Sequence, residues 1–203
     1  MKLQLKSLLV VCLVFTAGLL FAQASSAQDY RHVDPSRIVP QRPLSQALAY
    51  LQKYPSQFSN KNYLVIIDFT QHSSKKRFYL VNLKSGAVER FLTAHGSGSD
   101  TDGDGWATRF SNASGSNASS VGFYRTAETY SGKYGYSLRL QGLSSTNSNA
   151  YSRAIVVHGA NYVQESASRA GRSWGCPAVD MKYRTYIIDR IRSGSLMYGW
   201  SGQ

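Results

Sequence analysis

Cys176 and His158 are the two side chains of this sequence best suited to covalent chemistry. The thiol lies in residues 173–177, Ser-Trp-Gly-Cys-Pro, and the imidazole lies 18 residues earlier, at the end of an apolar run and before a glycine. A thiol attacks a carbonyl carbon as the thiolate, and a neighbouring imidazole can take its proton and stabilise the resulting ion pair. These residue types therefore predict cysteine acyl transfer.

The residues beside the thiol would complete such a site. Gly175 permits a tight turn that would point the backbone N–H groups of Trp174, Gly175 and Cys176 into one concavity. A concavity of this kind is an oxyanion hole, which is often the largest electrostatic contribution to acyl transfer. Ser173 is placed to steady the loop or to form a hydrogen bond near the thiol.

Both candidates also have plainer interpretations. A single buried cysteine is usually a small hydrophobic side chain, and a lone histidine is more often structural than catalytic. A zinc site accounts for the pair less well, because Cys176 and His158 have only the distant His72 and His95 as further ligands, and no usual zinc-ligand spacing is present.

His95 and several tyrosines are candidates for contacts with a substrate. His95 ends a predicted strand and precedes a glycine, as His158 does. We expect it either to face the same cleft, where it would hold substrate or tune His158, or to be a loop histidine with a backbone partner. Tyr124, Tyr134 and Tyr136 would line a sugar or peptide groove, although tyrosine on a strand more often serves packing.

Residues 100–105, Asp-Thr-Asp-Gly-Asp-Gly, match the opening of a calcium-binding loop. Asp100, Asp102 and Asp104 alternate along the chain, and the final glycine suits the turn that such loops make. The twelfth position of the loop is Ser111, where calcium loops of this type carry a bidentate glutamate. We therefore predict an acidic, flexible loop, with a calcium site as the weaker alternative and no other metal.

The elements that must position these residues are mostly strands. Apolar or alternating runs rich in β-branched and aromatic residues predict strands, and a hairpin turn is predicted at residues 84–87. A long polar loop is predicted at residues 96–119. The predicted strands are residues 63–69, 77–83, 88–94, 122–130, 136–140, 154–158 and 195–200.

Two helices complete the prediction. Residues 45–58 show helical spacing, with Ser45 as a possible N-cap, and residues 181–192 follow Asp180 as N-cap and precede Gly194 at the C′ position. Many short strands with a few short helices predict a mainly β domain, a β-sandwich or an open barrel.

Residues 1–27 have the pattern of a secretory signal peptide: a positively charged start, an apolar run and small residues before the cut. An uncleaved membrane anchor is the alternative, but the apolar run is shorter than the roughly 20 residues that span a bilayer. Cleavage would also remove Cys12, which leaves Cys176 without a partner for an internal disulfide. We expect a periplasmic, cell-envelope or extracellular protein with no stable membrane anchor after cleavage.

The remaining chain is expected to have an N-terminal arm and helix at residues 28–60 and a catalytic domain at residues 61–203. The formal net charge of the whole chain is +12, which could draw an exported protein to anionic envelope polymers. Its basic residues are scattered rather than gathered in a basic helix or an RNA-binding signature, so we predict no nucleic-acid partner.

The order His158-Gly159, then Ser173-x-Gly175-Cys176, resembles the signature of the murein L,D-transpeptidase catalytic domain family. The following proline places the resemblance in the branch of the superfamily that has Cys-Pro after the signature glycine. It extends over roughly residues 60–200, through segments at residues 95–96, 110–112, 119–124, 130–135, 137–140 and 153–160.

This resemblance implies an L,D-transpeptidase-like fold and an enzyme that acts on peptidoglycan stem peptides. Cys176 would attack a donor tetrapeptide stem, release the terminal D-alanine and pass the acyl group to an amine on a second stem, which makes a 3→3 cross-link. His158 would serve as base and acid, Ser173 as a supporting residue, and a carbapenem would acylate the thiol. Neither a metal nor an organic cofactor is implied.

Two alternatives stay open. With water as the acceptor the same site would be an L,D-carboxypeptidase, and a domain that kept only the fold would be a non-catalytic cell-wall-binding module.

One feature departs from the superfamily pattern, because many members place an arginine soon after the catalytic cysteine, where it contacts a donor carboxylate. Here residues 177–179 are Pro-Ala-Val, and Arg169, Arg172 or Arg109 would have to supply the charge.

Overall fold

A computed structural model of the protein describes residues 29–202. The predicted signal peptide lies outside the described residues. Within them, no helix has both the length and the apolar character needed to cross a membrane. The elements in chain order are α1 (Gln41–Lys53), β1 (Tyr63–Asp68), β2 (Phe78–Asn82), β3 (Val88–Phe91), β4 (His95–Gly96), β5 (Gly122–Gly132), β6 (Gly135–Gly142), β7 (Val156–Ala160), β8 (Arg172–Ser173), β9 (Ala178–Asp180), α2 (Arg184–Ile191) and β10 (Leu196–Trp200).

The main sheet has eight strands in the order β3-β2-β1-β10-β5-β6-β7-β9, and β4 and β8 form a separate parallel pair. The last strand, β10, lies in the middle of the sheet, where it runs parallel to β1 and antiparallel to β5. The sheet curls into a nearly closed, barrel-like form. The prediction of a mainly β domain with a few short helices is confirmed.

Strand β1 is buried on both faces of the sheet because a helix covers each face. Successive side chains of a strand point to opposite faces, so a strand buried on both sides reads as a continuous apolar run, as residues 63–69 do. One face packs on α2 and the other on α1. Each fully buried large apolar side chain adds about 1.5–3 kcal/mol to the free energy of unfolding. The buried side chains on the α2 side include Val65, Ile67, Ile187, Ile188 and Ile191. Those on the α1 side include Leu64, Ile66, Leu44, Ala47 and Leu51.

Both predicted helices are present, with shifted ends. Helix α1 begins at Gln41 after Pro40, so Ser45 lies inside the helix and its hydroxyl donates to the carbonyl of Arg42 at 2.9 Å instead of capping the N-terminus. The early start is possible because Pro43 lies in the first turn, where the helix needs no N–H donor.

At the second helix the predicted cap is confirmed. Asp180 accepts a 2.9 Å hydrogen bond from the N–H of Lys182, at the start of a 3₁₀ turn that leads into α2. The C-cap is Arg192, so Ser193, with φ 66°, takes the C′ position that was predicted for Gly194. Gly194 follows with φ 93°, a conformation that favours glycine.

Candidate active site

Strands β7 and β9 bring His158 and Cys176 together. His158 lies on β7 and pairs in register with Ala178, the first residue of the parallel strand β9. Cys176 lies two residues before Ala178, which sets it level with Val156 on β7. The N–H of Val156 accordingly donates to the sulfur of Cys176 at 3.4 Å, and the thiol lies 3.7 Å from the carbonyl oxygen of Ala154.

The thiol and the imidazole are both neutral in this arrangement. Burial raises the pKa of Cys176, and the opposing effects of the Val156 N–H and of Arg153 are smaller. Burial lowers the pKa of His158, while a hydrogen bond to Gly159 opposes the shift. The site therefore has a thiol that must be deprotonated and an imidazole that is free to act as the base.

The tautomer of His158 follows from its backbone contact. Its Nδ1 lies 3.0 Å from the carbonyl oxygen of Gly159, and because a carbonyl only accepts, Nδ1 carries the proton and Nε2 is the basic nitrogen. Within residues 29–202, no hydrogen bond joins the imidazole to the thiol of Cys176. Such contacts are often long before a substrate binds and tighten in the reacting complex.

Ser173 braces the turn that carries the thiol. Its hydroxyl donates to the carbonyl of Cys176 at 2.7 Å and accepts the N–H of Gly175 at 3.1 Å. Gly175 has φ +114°, and a Cβ there would lie 2.7 Å from the carbonyl oxygen of Ala118, so glycine is required at this position. Because the N–H of Gly175 donates to Ser173, it is not available to the predicted oxyanion hole, for which the N–H groups of Trp174 and Cys176 would remain.

His95 matches neither of its two expected placements fully, because its ring is buried and its partners are side chains rather than the backbone. Its side chain is fully buried, with Nδ1 2.6 Å from Nη2 of Arg77 and Nε2 3.1 Å from Oδ2 of Asp100. Since a guanidinium only donates, Nδ1 accepts and Nε2–H donates to the carboxylate. Burial and then Arg77 lower the pKa of His95 to about 4. The ring is thus a neutral link in a buried chain and is not exposed to a substrate.

Tyr124 takes the packing role, the second of its two expected interpretations. Its side chain is buried in the core, and its hydroxyl donates to the carbonyl of Ser120 at 2.7 Å. Burial raises its pKa to about 12. Tyr124 therefore supports packing under the site and does not line a groove for a sugar or a peptide.

Two of the three arginines proposed for a donor carboxylate lie beside the acidic loop. Arg172 donates from Nη1 to the backbone carbonyl of Asp100 at 2.5 Å. The exposed guanidinium of Arg169 lies close to Gly103 in the same loop. Arg109 is exposed and lines a separate pocket of about 250 Å³ within the long polar loop.

Arg153 is the cation near the thiol that the sequence analysis missed. It donates to the carbonyls of Ser111 and Ala118, each at 2.7 Å, and to the hydroxyl of Ser116 at 3.1 Å. These bonds fasten the long polar loop, and the positive charge lowers the pKa of Cys176. The signal available in the sequence was only its position, directly before the apolar run of residues 154–158 that leads to His158.

Three exposed aromatic side chains lie on the loops around the two candidates. The ring of Tyr134 lies 5.0 Å from the ring of His158, and Trp174, next to the thiol turn, is 73% exposed. Tyr162 is 42% exposed, and the partial burial of its hydroxyl, followed by Cys176 and Tyr134, raises its pKa to about 12. Aromatic surfaces of this kind can pack on sugar rings and peptide segments.

One group of carboxylates could hold a metal ion. Asp100, Asp102 and Asp104 each place an oxygen within 4.8 Å of the others. Asp100 is buried and the other two are exposed, and the group is linked to the thiol turn through His95 and Arg172.

Comparisons with known proteins agree with the resemblance read from the sequence. A family model described as the L,D-transpeptidase catalytic domain matches residues 36–200. No curated protein matches this chain.

Solved L,D-transpeptidases are similar to this chain at low identity. One from Xylanimonas cellulosilytica is 15% identical, with 70% of this chain and 62% of that chain covered and a TM-score of 0.43. One from Mycobacterium smegmatis is 12% identical, with 69% and 59% covered and a TM-score of 0.44. L,D-transpeptidase 3 from Mycobacterium tuberculosis is 12% identical, with 69% and 61% covered and a TM-score of 0.44. The chain spans about three fifths of the length of these structures.

Proposed function

Because the chain belongs to the L,D-transpeptidase catalytic domain family, we propose that it is an exported cysteine acyltransferase that forms 3→3 cross-links between peptidoglycan stem peptides. One observation carries the proposal: the thiol of Cys176 is held by a hydrogen bond from Val156, on the strand that also carries His158. A nucleophile held beside the strand that carries the base is what acyl transfer through a thioester needs.

The first half-reaction forms the acyl-enzyme. Nε2 of His158 takes the proton of the thiol, and the sulfur of Cys176 attacks the carbonyl carbon between the L-centre and the D-centre of the donor stem. The N–H groups of Trp174 and Cys176 stabilise the oxyanion. When the intermediate collapses, the C–N bond breaks and the protonated His158 gives its proton to the leaving amine, so that D-alanine departs and a thioester remains.

The second half-reaction transfers the acyl group. The side-chain amine of a diamino acid on a second stem attacks the thioester carbonyl while His158 takes a proton from that amine. The C–S bond breaks, the sulfur recovers a proton from His158, and the new amide is the cross-link. Attack by water at this stage would give a tripeptide stem instead.

Exposed aromatic rings and an exposed arginine near the site support a polymeric substrate. The exposed rings of Tyr134, Tyr162 and Trp174 offer surfaces on which a stem peptide or a sugar can pack. Arg169 stays in the proposal as a ligand for the donor carboxylate because its guanidinium is exposed. Arg172 would first have to leave the carbonyl of Asp100.

The experiment is incubation of the protein lacking residues 1–27 with purified tetrapeptide muropeptides, followed by mass spectrometry, beside a Cys176→Ala control. The proposal predicts a dimer that has lost one D-alanine, formed only when the thiol is present. Conversion to tripeptide alone would show that the protein is an L,D-carboxypeptidase and does not form cross-links. Equal turnover by wild type and Cys176→Ala would overturn the proposal.

A further inference from the structure

Three carboxylates in the loop of residues 100–105 lie close together. Asp100, Asp102 and Asp104 each bring one oxygen within 4.8 Å of the others. Within residues 29–202, the ion pairs formed by lysine and arginine do not include any of these three groups. Like charges at this separation repel one another unless a cation lies among them.

A second, independent observation concerns Asp100 alone. Its side chain is buried, and Oδ2 accepts hydrogen bonds from Nε2 of His95 at 3.1 Å and from the N–H of Gly105 at 3.2 Å. Its other oxygen, Oδ1, is also buried but has no hydrogen-bond partner. A buried carboxylate oxygen without a partner is costly and calls for a ligand. Oδ1 is therefore the oxygen of Asp100 that would bind a cation shared with Asp102 and Asp104.

The ligand type points to a hard divalent cation. Carboxylate oxygens select calcium and magnesium over softer metals, and calcium tolerates an irregular oxygen cage better than magnesium does. Gly103 has φ +73° and Gly105 has φ +95°, so the chain can wrap around an ion at both positions.

We propose that Asp100, Asp102 and Asp104 bind one calcium ion. The site is weak, because Ser111 stands where stronger loops carry a bidentate glutamate and because Arg169 and Arg172 lie beside the loop. An affinity on the order of 10⁻⁴–10⁻³ M, as in extracellular calcium modules, follows from this ligand set.

The ion would stabilise the turn that carries the thiol without touching the reacting atoms. Asp100 holds the ring of His95, and the carbonyl of His95 lies 3.3 Å from the hydroxyl of Ser173, which braces Cys176. Arg172, bonded to the carbonyl of Asp100, directly precedes Ser173. The proposal does not depend on the reaction that the site catalyses.

Terbium luminescence tests the site directly, because Trp106 directly follows the loop and can sensitise a bound lanthanide. Its N–H donates to Oδ1 of Asp104 at 2.8 Å. We expect saturable terbium emission on excitation of tryptophan, displaced by calcium at roughly 10⁻⁴–10⁻³ M. The double variant Asp102→Asn/Asp104→Asn should weaken terbium binding at least about tenfold, since it removes two charged ligands. Glu165→Gln, an exposed acid outside the loop, is the matched control and should bind as wild type does.

Thermal unfolding in calcium and in EDTA provides a readout that does not use terbium. A ligand that binds only the folded state raises the Tm, so millimolar calcium should raise the Tm of wild type and of Glu165→Gln but not that of the double variant. Asp100 is left unchanged because it also holds His95. Terbium emission that does not saturate, emission that the double variant retains, or a wild-type Tm that calcium does not change would each overturn the proposal.

Discussion

The N–H of Val156 donates a 3.4 Å hydrogen bond to the sulfur of Cys176. This bond ties the thiol to β7, the strand on which His158 lies two residues further along. The nucleophile and the base that we propose are therefore positioned by one strand, although 18 residues separate them in the sequence. Their relative position depends on the pairing of β7 with β9 more than on the loop between them.

The reactivity of the resting thiol should rise steadily with pH. Burial raises the pKa of Cys176, so the thiolate forms only at a more alkaline pH than in a free cysteine, and burial lowers the pKa of His158, so the ring is neutral at pH 7. We expect slow alkylation by iodoacetamide at pH 7 and a rate that still increases through pH 9. The measurement is the pH–rate profile of alkylation by mass spectrometry. A plateau that begins near pH 6 would show a preformed thiolate–imidazolium pair and contradict this account.

Removing the charge of Arg153 should make the thiol harder to ionise. Its guanidinium lowers the pKa of Cys176, so Arg153→Gln shifts the alkylation profile to higher pH. At pH 8 we expect the rate to fall roughly threefold to tenfold, since one pKa unit corresponds to about a factor of ten in thiolate. Arg153→Lys keeps the charge, and its alkylation rate should lie between those of wild type and Arg153→Gln. If the profiles of Arg153→Gln and wild type overlay, the charge of Arg153 does not act on the thiol.

Ser173→Ala should impair turnover more than folding. The substitution removes the 2.7 Å bond to the carbonyl of Cys176 and leaves the N–H of Gly175 without its acceptor. A loss of about 1–3 kcal/mol at such bonds corresponds to a fall in kcat/KM of roughly tenfold to a hundredfold. Release of D-alanine measures the rate, and circular dichroism monitors the fold. Ser173→Thr, which retains a hydroxyl, is the control, and wild-type turnover by Ser173→Ala would refute the bracing role.

Arg77→Met should destabilise the protein without touching the thiol turn. Arg77 is fully buried and donates to Nδ1 of His95 and to the carbonyls of Gln71 and Thr93. Methionine leaves these acceptors buried and unpaired, which costs about 3 kcal/mol. Urea unfolding measures the loss. Arg125→Met, at an exposed position of β5, should change the free energy of unfolding by no more than about 0.5 kcal/mol. A loss at Arg77→Met as small as this control would contradict the structural role.

Much of the fold was predictable because its signals are local. Strand β1 has a continuous apolar run since helices cover both of its faces, and Asp180 caps the turn before α2 through its own neighbour Lys182. The start of α1 was missed because Ser45 resembles a cap, whereas Pro40 and Pro43 already set the backbone of the first turn.

The site was predictable only in part, because several roles depend on contacts distant in sequence. His95 is buried because Arg77 and Asp100 bond both of its ring nitrogens, and no spacing in the sequence reveals that pairing. The segment around Tyr124 has the pattern of a strand, but this pattern does not show which face of the sheet is solvated. Arg153 acts through a loop more than 30 residues away, and this contact exists only in the folded chain.

The most direct test of the central claim is the intact mass of the protein after mixing with a tetrapeptide stem donor and no acceptor amine. Our account predicts a transient adduct equal to the donor less D-alanine, located on Cys176 by peptide mapping and not formed by Cys176→Ala. An adduct on another residue, or D-alanine release by Cys176→Ala at the wild-type rate, would contradict it.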